Sequence, residues 1–245
     1  VRLPDFLQKR VVEYAHQHGI AVTSHQLYPA VSYGADGVEH IGGRSRQGYP
    51  TKETALNHSY RDVIDLIAAS GMRMTPTVGI RGGFLLKAHR DPTLLDDPRI
   101  RRLFPTWIVE STRSRVERIR EADLEVLETR MKTLGATVLA ISRSGGRILA
   151  GTDSPIIPYG LSLHTEMEHF VDSGLSPFQA LQAATLVSAE ALGAGQDLGS
   201  IEAGKLADMV IIDGDPLADI RNTRKVRWVV KDGEVFDLAT LLGGN

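Results

Sequence analysis

Short β-prone segments alternate with helical stretches before the tail of this 245-residue chain, and that alternation limits the fold more than any other feature. Residues 20–24, 37–39, 72–78 and 147–150 read as strands. An opening helix carries Phe6, Leu7, Val11, Tyr14 and Ala15 at helical spacing until Gly19 stops it. A second helix is expected over 54–70, with Val63, Ile64, Ile67 and Ala68 on one side and Gly71 closing it. A helical stretch runs from 106 to about 142. Strands separated by helices pair in parallel through right-handed crossovers, so the pattern predicts an α/β fold.

Residues 79–106 carry Gly79, Gly82, Gly83, Pro92, Pro98 and Pro105, and are expected to form a long irregular loop. Along the next stretch, Leu124, Leu127, Met131, Leu134, Val138 and Ile141 recur at steps of three and four. That seam is too short for a coiled coil and suits a helix facing a strand. Two helices follow residue 150. The second opens Ser176-Pro177-Phe178-Gln179, which joins a Ser cap, a proline in the first turn and a capping-box glutamine. The tail changes character: 209–212, 227–231 and 234–236 read as strands, with Asp232-Gly233 as a hairpin turn.

Composition narrows the function. A formal net charge of -2 lacks the basic excess that polyphosphate binding needs, so nucleic acid is not an expected partner. With zero cysteines, disulfides, thiolate metal sites and cysteine nucleophiles are excluded. No apolar run approaches membrane-spanning length. The arginines of 99–120 are balanced by neighbouring acids and read as a solvated helix face.

Three polar residues share one position, the C-terminal end of an expected strand: His25 after IAVTS, His40 after GVE and Asp153 after RILAGT. On the active-site face of a (β/α) barrel such side chains converge. Imidazoles and a carboxylate suit a divalent metal, Zn first, with Mn, Fe or Ni as alternatives. A metal that acidifies water, and a carboxylate that accepts its proton, make hydrolysis the matching chemistry. Each residue also has an ordinary structural role open to it, as a hydrogen-bonded histidine or a turn aspartate. On these residues alone both readings stand.

The segments SHQLYPAVSYGADGVEHI, AGTDSP and LSPFQALQAATLVSAEALGAGQDLGSIEAGKLADMVIIDGDPL resemble the amidohydrolase superfamily, in its imidazolonepropionase-like and prolidase-like branch. The resemblance covers nearly the whole chain and is weakest over 80–145. It implies a metal-dependent hydrolase (β/α)8 TIM barrel, of which only strands 5–8 are expected here, plus C-terminal strands of a small β-sandwich. Residues 1–195 are then the second half of the barrel, with an irregular or helical insertion at about 79–145, and 196–245 the sandwich segment. His25, His40 and Asp153 take the metal-ligand positions, with Asp153 also the general base. One or two divalent ions, a small-molecule substrate and cleavage of a C–N bond other than an ordinary peptide bond are implied.

Two family features are missing: a His-x-His pair on the first strand, and a bridging lysine or glutamate on the fourth. His16-Gln17-His18 lies in a helical turn, where the two side chains diverge by about 200°. The alternative reading is therefore a non-catalytic scaffold or an inactive fragment. Val1 is expected to be the cut end of a longer enzyme, and four strands alone cannot close a barrel, so the chain by itself is expected to be poorly soluble or to associate into a homo-oligomer such as a dimer, without hydrolase activity of its own. Tyr28, beside His25, and Arg81, in the Gly79–Gly83 loop, are candidate substrate contacts.

Overall fold

The computed structural model describes residues 3–41, 44–46, 49–51 and 61–243. The opening helix α1 (Asp5–Gln17) forms where expected, but Phe6, Leu7, Val11 and Tyr14 face outward and only Val12 is buried. It is held instead by a polar contact, His16 Nε2 lying 2.9 Å from Asp36 Oδ2. Partial burial opposes ionisation of Asp36, yet the Val22 N–H and the His16 ring hold its carboxyl below the ordinary value.

Strand β1 (Thr23–Ser24) leads through helix α2 (Leu27–Ser32) to β2 (Gly37–Glu39). A hairpin of β3 (Arg44–Arg46) and β4 (Tyr49–Thr51) follows, unanticipated by periodicity. The first part of the helix expected over 54–70 lies outside the described residues, and α3 (Arg61–Ser70) supplies the rest. Its buried face is Val63, Ile64 and Ile67. Next comes β5 (Arg73–Thr75).

The strand expected to reach residue 78 stops at Thr75, because Thr77 turns into the left-handed region and a 3-10 turn over Val78–Arg81 begins. Residues 79–106, expected to be irregular, are largely helical. They form α4 (Gly83–Arg90), a 3-10 turn over Pro92–Asp96 and α5 (Pro98–Leu103). Pro92 and Pro98 open these turns rather than breaking them, since the first turn of a helix needs no N–H from proline. The Asp97 side chain caps α5 by accepting the Arg99 N–H at 2.9 Å. Phe84, Leu94, Leu95, Ile100, Val116 and Leu161 close a second small core around this region.

The single helical stretch expected over 106–142 is two helices, α6 (Thr106–Glu117) and α7 (Glu121–Arg143). The break falls where the Asp123 carboxylate accepts the Arg120 N–H at 3.1 Å and starts the new helix. Leu134, Val138 and Ile141 of the predicted seam are buried as α7 packs on α3 and then meets β6 (Arg147–Ile148). The basic character of this stretch is locally answered: Asp96 pairs with Arg101 and Arg113, and Asp123 with Arg120.

The main sheet has the order β1-β2-β5-β6, every pair parallel, with Val38 opposite Met74 and Met74 opposite Ile148. Helices α8 (Leu161–Asp172), α9 (Pro177–Ala184) and α10 (Leu186–Ala191) follow. The expected capping box opens α9: Ser176 and Gln179 exchange side-chain-to-backbone bonds of 3.2 and 2.9 Å. The tail forms an antiparallel sheet of β7 (Met209–Ile212), β8 (Val226–Lys231) and β9 (Glu234–Asp237), then a short α11 (Leu238–Leu241).

A buried ionic cluster fastens the segment entering β8 to α8. Arg224 grips Glu168 with two bonds of 2.6 Å, and Lys87 approaches the same carboxylate at 3.2 Å. Among the described residues no helix is long and apolar enough to cross a membrane.

Candidate active site

One cavity of about 550 Å³ runs along β1, β2, β5 and β6, from Asp36 and Arg73 at the strand starts to His25, His40, Thr77 and Asp153 at the C-terminal ends. Parallel pairing puts these ends on the same edge of the sheet, so residues far apart in sequence meet there. The ring centroids of His25 and His40 lie 4.9 Å apart. His40 Nε2 lies 3.6 Å from Asp153 Oδ2.

The fourth member is Thr77, which sequence reading passed over. Its hydroxyl donates to the Pro76 carbonyl at 2.8 Å, and its oxygen lies 2.6 Å from His40 Nδ1. A hydroxyl has one hydrogen: while it points at the Pro76 carbonyl, Thr77 Oγ1 accepts from Nδ1–H, and turned to His40 it donates to Nδ1. The first arrangement turns the Nε2 lone pair toward the Asp153 carboxylate, and the second places Nε2–H there.

In the first arrangement two acceptors face each other at 3.6 Å, which suits a cation between them. Ligands about 2.0–2.2 Å from a tetrahedral divalent ion lie roughly 3.3–3.6 Å from one another, so the pair fits two vertices of such a site. Among the described residues, no three His, Asp or Glu side chains gather into a full metal cage. The pair is thus an incomplete donor set, and His25 supplies a further imidazole beside it.

Backbone strain marks the same place. His40, Thr77 and Asp153 have φ of 58°, 49° and 55° although none is glycine. Left-handed backbone costs an ordinary L-residue about 1–2 kcal/mol, and a β-branched threonine is the least expected of the three. Strain of this kind persists only where surrounding structure enforces it. Close packing does so here: a Cβ on Gly151 would sit 2.2 Å from Thr75 Cγ2, so only glycine lets β6 end beside β5. Main-chain bonds add to it, His40 N–H donating to Thr75 O at 2.9 Å and Ile41 N–H to Pro76 O at 3.2 Å.

The remaining candidates separate. Tyr28 falls within α2, and its side chain lies outside the described residues. Arg81 ends the 3-10 turn and lines a different cavity of about 710 Å³, with Arg115, Leu127 and Arg130. The structure does not bring it to the His40 cavity. His16 and His18 stay at the end of α1, away from the strand ends. His164 and His169 are both held neutral, burial pushing them down to about 4 and about 3.

Residues 4–236 match the model of the amidohydrolase family. The chain belongs to that family. Among similar proteins are the imidazolonepropionases of Thermoplasma volcanium (37% identical over 78 residues, 31% of this chain and 19% of that one) and Syntrophobacter fumaroxidans (40% over 85 residues, 35% and 18%). An adenine deaminase of Rubrobacter xylanophilus is 38% identical over 69 residues, 28% of this chain and 11% of that one. The fold is similar to a Xaa-Pro dipeptidase (TM-score 0.64, 23% identity, 96% of this chain and 49% of that one). A prolidase-like protein from Bifidobacterium longum gives a TM-score of 0.65 at 21% identity, over 96% of this chain and 51% of that one. The chain spans about half the length of these solved structures and under a fifth of the imidazolonepropionases.

Proposed function

We propose that this amidohydrolase chain carries the metal-binding and proton-transfer residues of a hydrolase acting on C–N bonds other than ordinary peptide bonds, in amides or cyclic amides. The observation that carries this reading is the opposition of His40 Nε2 and Asp153 Oδ2 at 3.6 Å, at adjoining strand ends of an amidohydrolase fold. His40 and Asp153 would hold a divalent ion, Zn first, with His25 as a further ligand. Bound there, the ion supplies Lewis acidity, bringing the pKa of a water molecule down to about 7.

The rest of the reaction falls to the chain's own groups. An Asp153 carboxylate oxygen takes the water's proton as the water attacks the carbonyl carbon. It then returns that proton to the departing nitrogen. Thr77 keeps His40 in the tautomer that leaves Nε2 unprotonated. The cavity of about 550 Å³ admits a small-molecule substrate.

The main sheet, in this reading, is the second half of a (β/α)8 barrel, residues 1–195, and 196–245 belong to a β-sandwich. Support comes from four parallel strands in sequential order and from matches that cover about half of each solved barrel. The incomplete donor set favours a second reading, a scaffold that keeps the fold without turnover.

Asp153→Asn in the intact protein separates them. Under the hydrolase reading, kcat on an amide or cyclic-amide substrate falls about 10²–10⁴-fold while circular dichroism is unchanged. Unaltered turnover, or an intact protein that takes up no divalent metal by elemental analysis, favours the scaffold.

A further inference from the structure

Glu166 is wholly buried on α8 and has no part in the chemistry above. Its carboxylate forms a fork: Oε1 accepts the Val78 N–H at 2.8 Å and Oε2 the Gly79 N–H at 2.9 Å. These two N–H groups open the 3-10 turn that follows β5, and the start of any such turn leaves its N–H groups without partners inside the turn. The residue before the turn cannot supply the acceptor. It is Thr77, and its hydroxyl is already committed to the Pro76 carbonyl and to His40.

The fork has little freedom. Gly79 is pressed so closely against the segment before α8 that a Cβ there would lie 2.7 Å from Ile157 Cδ1 and 3.6 Å from Glu166 Oε2. Gly83, which opens α4 just past the turn, lies against His169 on α8, where a Cβ would meet Nε2 at 2.5 Å. The turn is thus held at both ends by α8, and Thr77 is the residue through which that hold reaches the strand-end cavity. Burying a carboxylate is costly, and burial pushes Glu166 up to about 7 even with two N–H groups opposing the shift. An apolar side chain at this position would avoid that cost but would leave two N–H groups unmet.

Resting on the hydrolase reading, we propose that Glu166 is a positioning residue: by gripping the Val78 and Gly79 N–H groups it holds Thr77 in its left-handed conformation, and Thr77 in turn fixes His40 with Nε2 aimed at Asp153. Glu166 acts at one remove from substrate and metal, through main chain and a single hydroxyl. The line runs from helix to turn to strand end, crossing from α8 to β2.

The test is made on the intact ¹⁵N-labelled protein with metal removed by chelation. Two-bond ¹H–¹⁵N correlations report the tautomer of His40, and hydrogen exchange reports the Val78 and Gly79 amides. Wild-type protein should show Nδ1–H on His40 and slow exchange at both amides. Glu166→Gln places an NH₂ where one N–H must be received, so it should free one amide and shift His40 away from the Nδ1–H form. Thr77→Val should shift the tautomer equally, and Thr77→Ser should restore it.

In the metal-loaded protein, Glu166→Gln and Thr77→Val should each lower kcat about 10–100-fold with KM unchanged. An Nε2–H wild-type His40, or fast exchange at Val78 and Gly79, overturns the proposal without any variant having to fold. A folded Glu166→Gln protein that loses thermal stability but keeps the wild-type tautomer and kcat overturns it as well. Should the protein neither take up metal nor turn over, the tautomer series still decides the role of Glu166, while the hydrolase reading fails separately.

Discussion

Among the described residues, left-handed backbone at non-glycine positions occurs in two settings, the strand ends at His40, Thr77 and Asp153 and the tail hairpin at Asp232, and their origins differ. In the hairpin the conformation is local. Asp232 and Gly233 have φ of 52° and 81°, the pair of positive values a tight two-residue turn between β8 and β9 demands. Aspartate and glycine tolerate it, so the turn could be read directly from two letters. At the strand ends no local rule asks for positive φ. Thr77 is held there by the Glu166 fork behind it and by His40 in front. One region obeys its sequence neighbours, whereas the other obeys contacts 37 and 88 residues away.

That difference governs how much was legible. Parallel strand–helix units, the Ser176 cap and the tail hairpin depend on periodicity and turn chemistry, and these are written within a few residues. His25, His40 and Asp153 could be found because each ends a strand-like run. Thr77 was hidden, since a threonine after Thr-Pro carries no signal until the His40 ring is seen against it. Glu166 was equally hidden, one acid among several in an ordinary amphipathic helix. Residues 79–106 misled for a related reason: prolines punctuate a chain, and only packing around Phe84, Leu94 and Ile100 shows that they start helices there.

The comparison would weaken if the tail were simply a local structure attached by a loop. Its attachment is the largest effect to measure for stability. Glu168 is nearly buried between Arg224 and Lys87, so Glu168→Ala takes from Arg224 its two-bond partner and leaves it only Asp91 at 3.6 Å, while Lys87 keeps only the exposed Asp172 at 2.8 Å. Removing one partner from such a cluster costs about 3–5 kcal/mol. Urea unfolding should register that loss. A change below about 1 kcal/mol would show the tail to be as self-determined as its hairpin.

A smaller effect tests whether α8, the helix behind the strained turn, carries buried titrating groups of opposite sign. His164 and His169 are pushed down to about 4 and about 3 from 6.5, so the unfolded chain binds two more protons than the folded one as pH falls below 6.5. They contribute stability that is present above 6.5 and lost on acidification. Glu166, raised to about 7 from 4.5, works the other way: between those values the folded state keeps a proton that the unfolded chain releases. From pH 6.5 to about 4.5 the histidines outnumber it, so stability should fall on acidification with a net slope near one proton. Glu166→Gln should steepen the slope toward two. Stability that rises on acidification in wild type would leave Glu166 acting alone and remove the histidines from the account.

The smallest effect is the sharpest contrast, because the same substitution is made in both settings. Asp232→Gly exchanges a residue that tolerates left-handed backbone for one that adopts it freely, and the contacts the turn makes to Asp208 and Ala207 are main-chain N–H bonds that glycine keeps. The relief of strain is small for aspartate, and the added freedom of glycine in the unfolded chain offsets it. Stability should move by less than about 0.5 kcal/mol and kcat should stay as it was. Thr77→Gly relieves more strain, since a β-branched residue gives way, yet it deletes the hydroxyl that lies 2.6 Å from His40 Nδ1. There kcat should fall about 10–100-fold even if the protein unfolds no more easily. Equal behaviour of the two variants would mean that the strand-end strain is only a turn requirement after all. Unequal behaviour, with activity lost where strain is relieved, is what a site assembled by distant contacts should show.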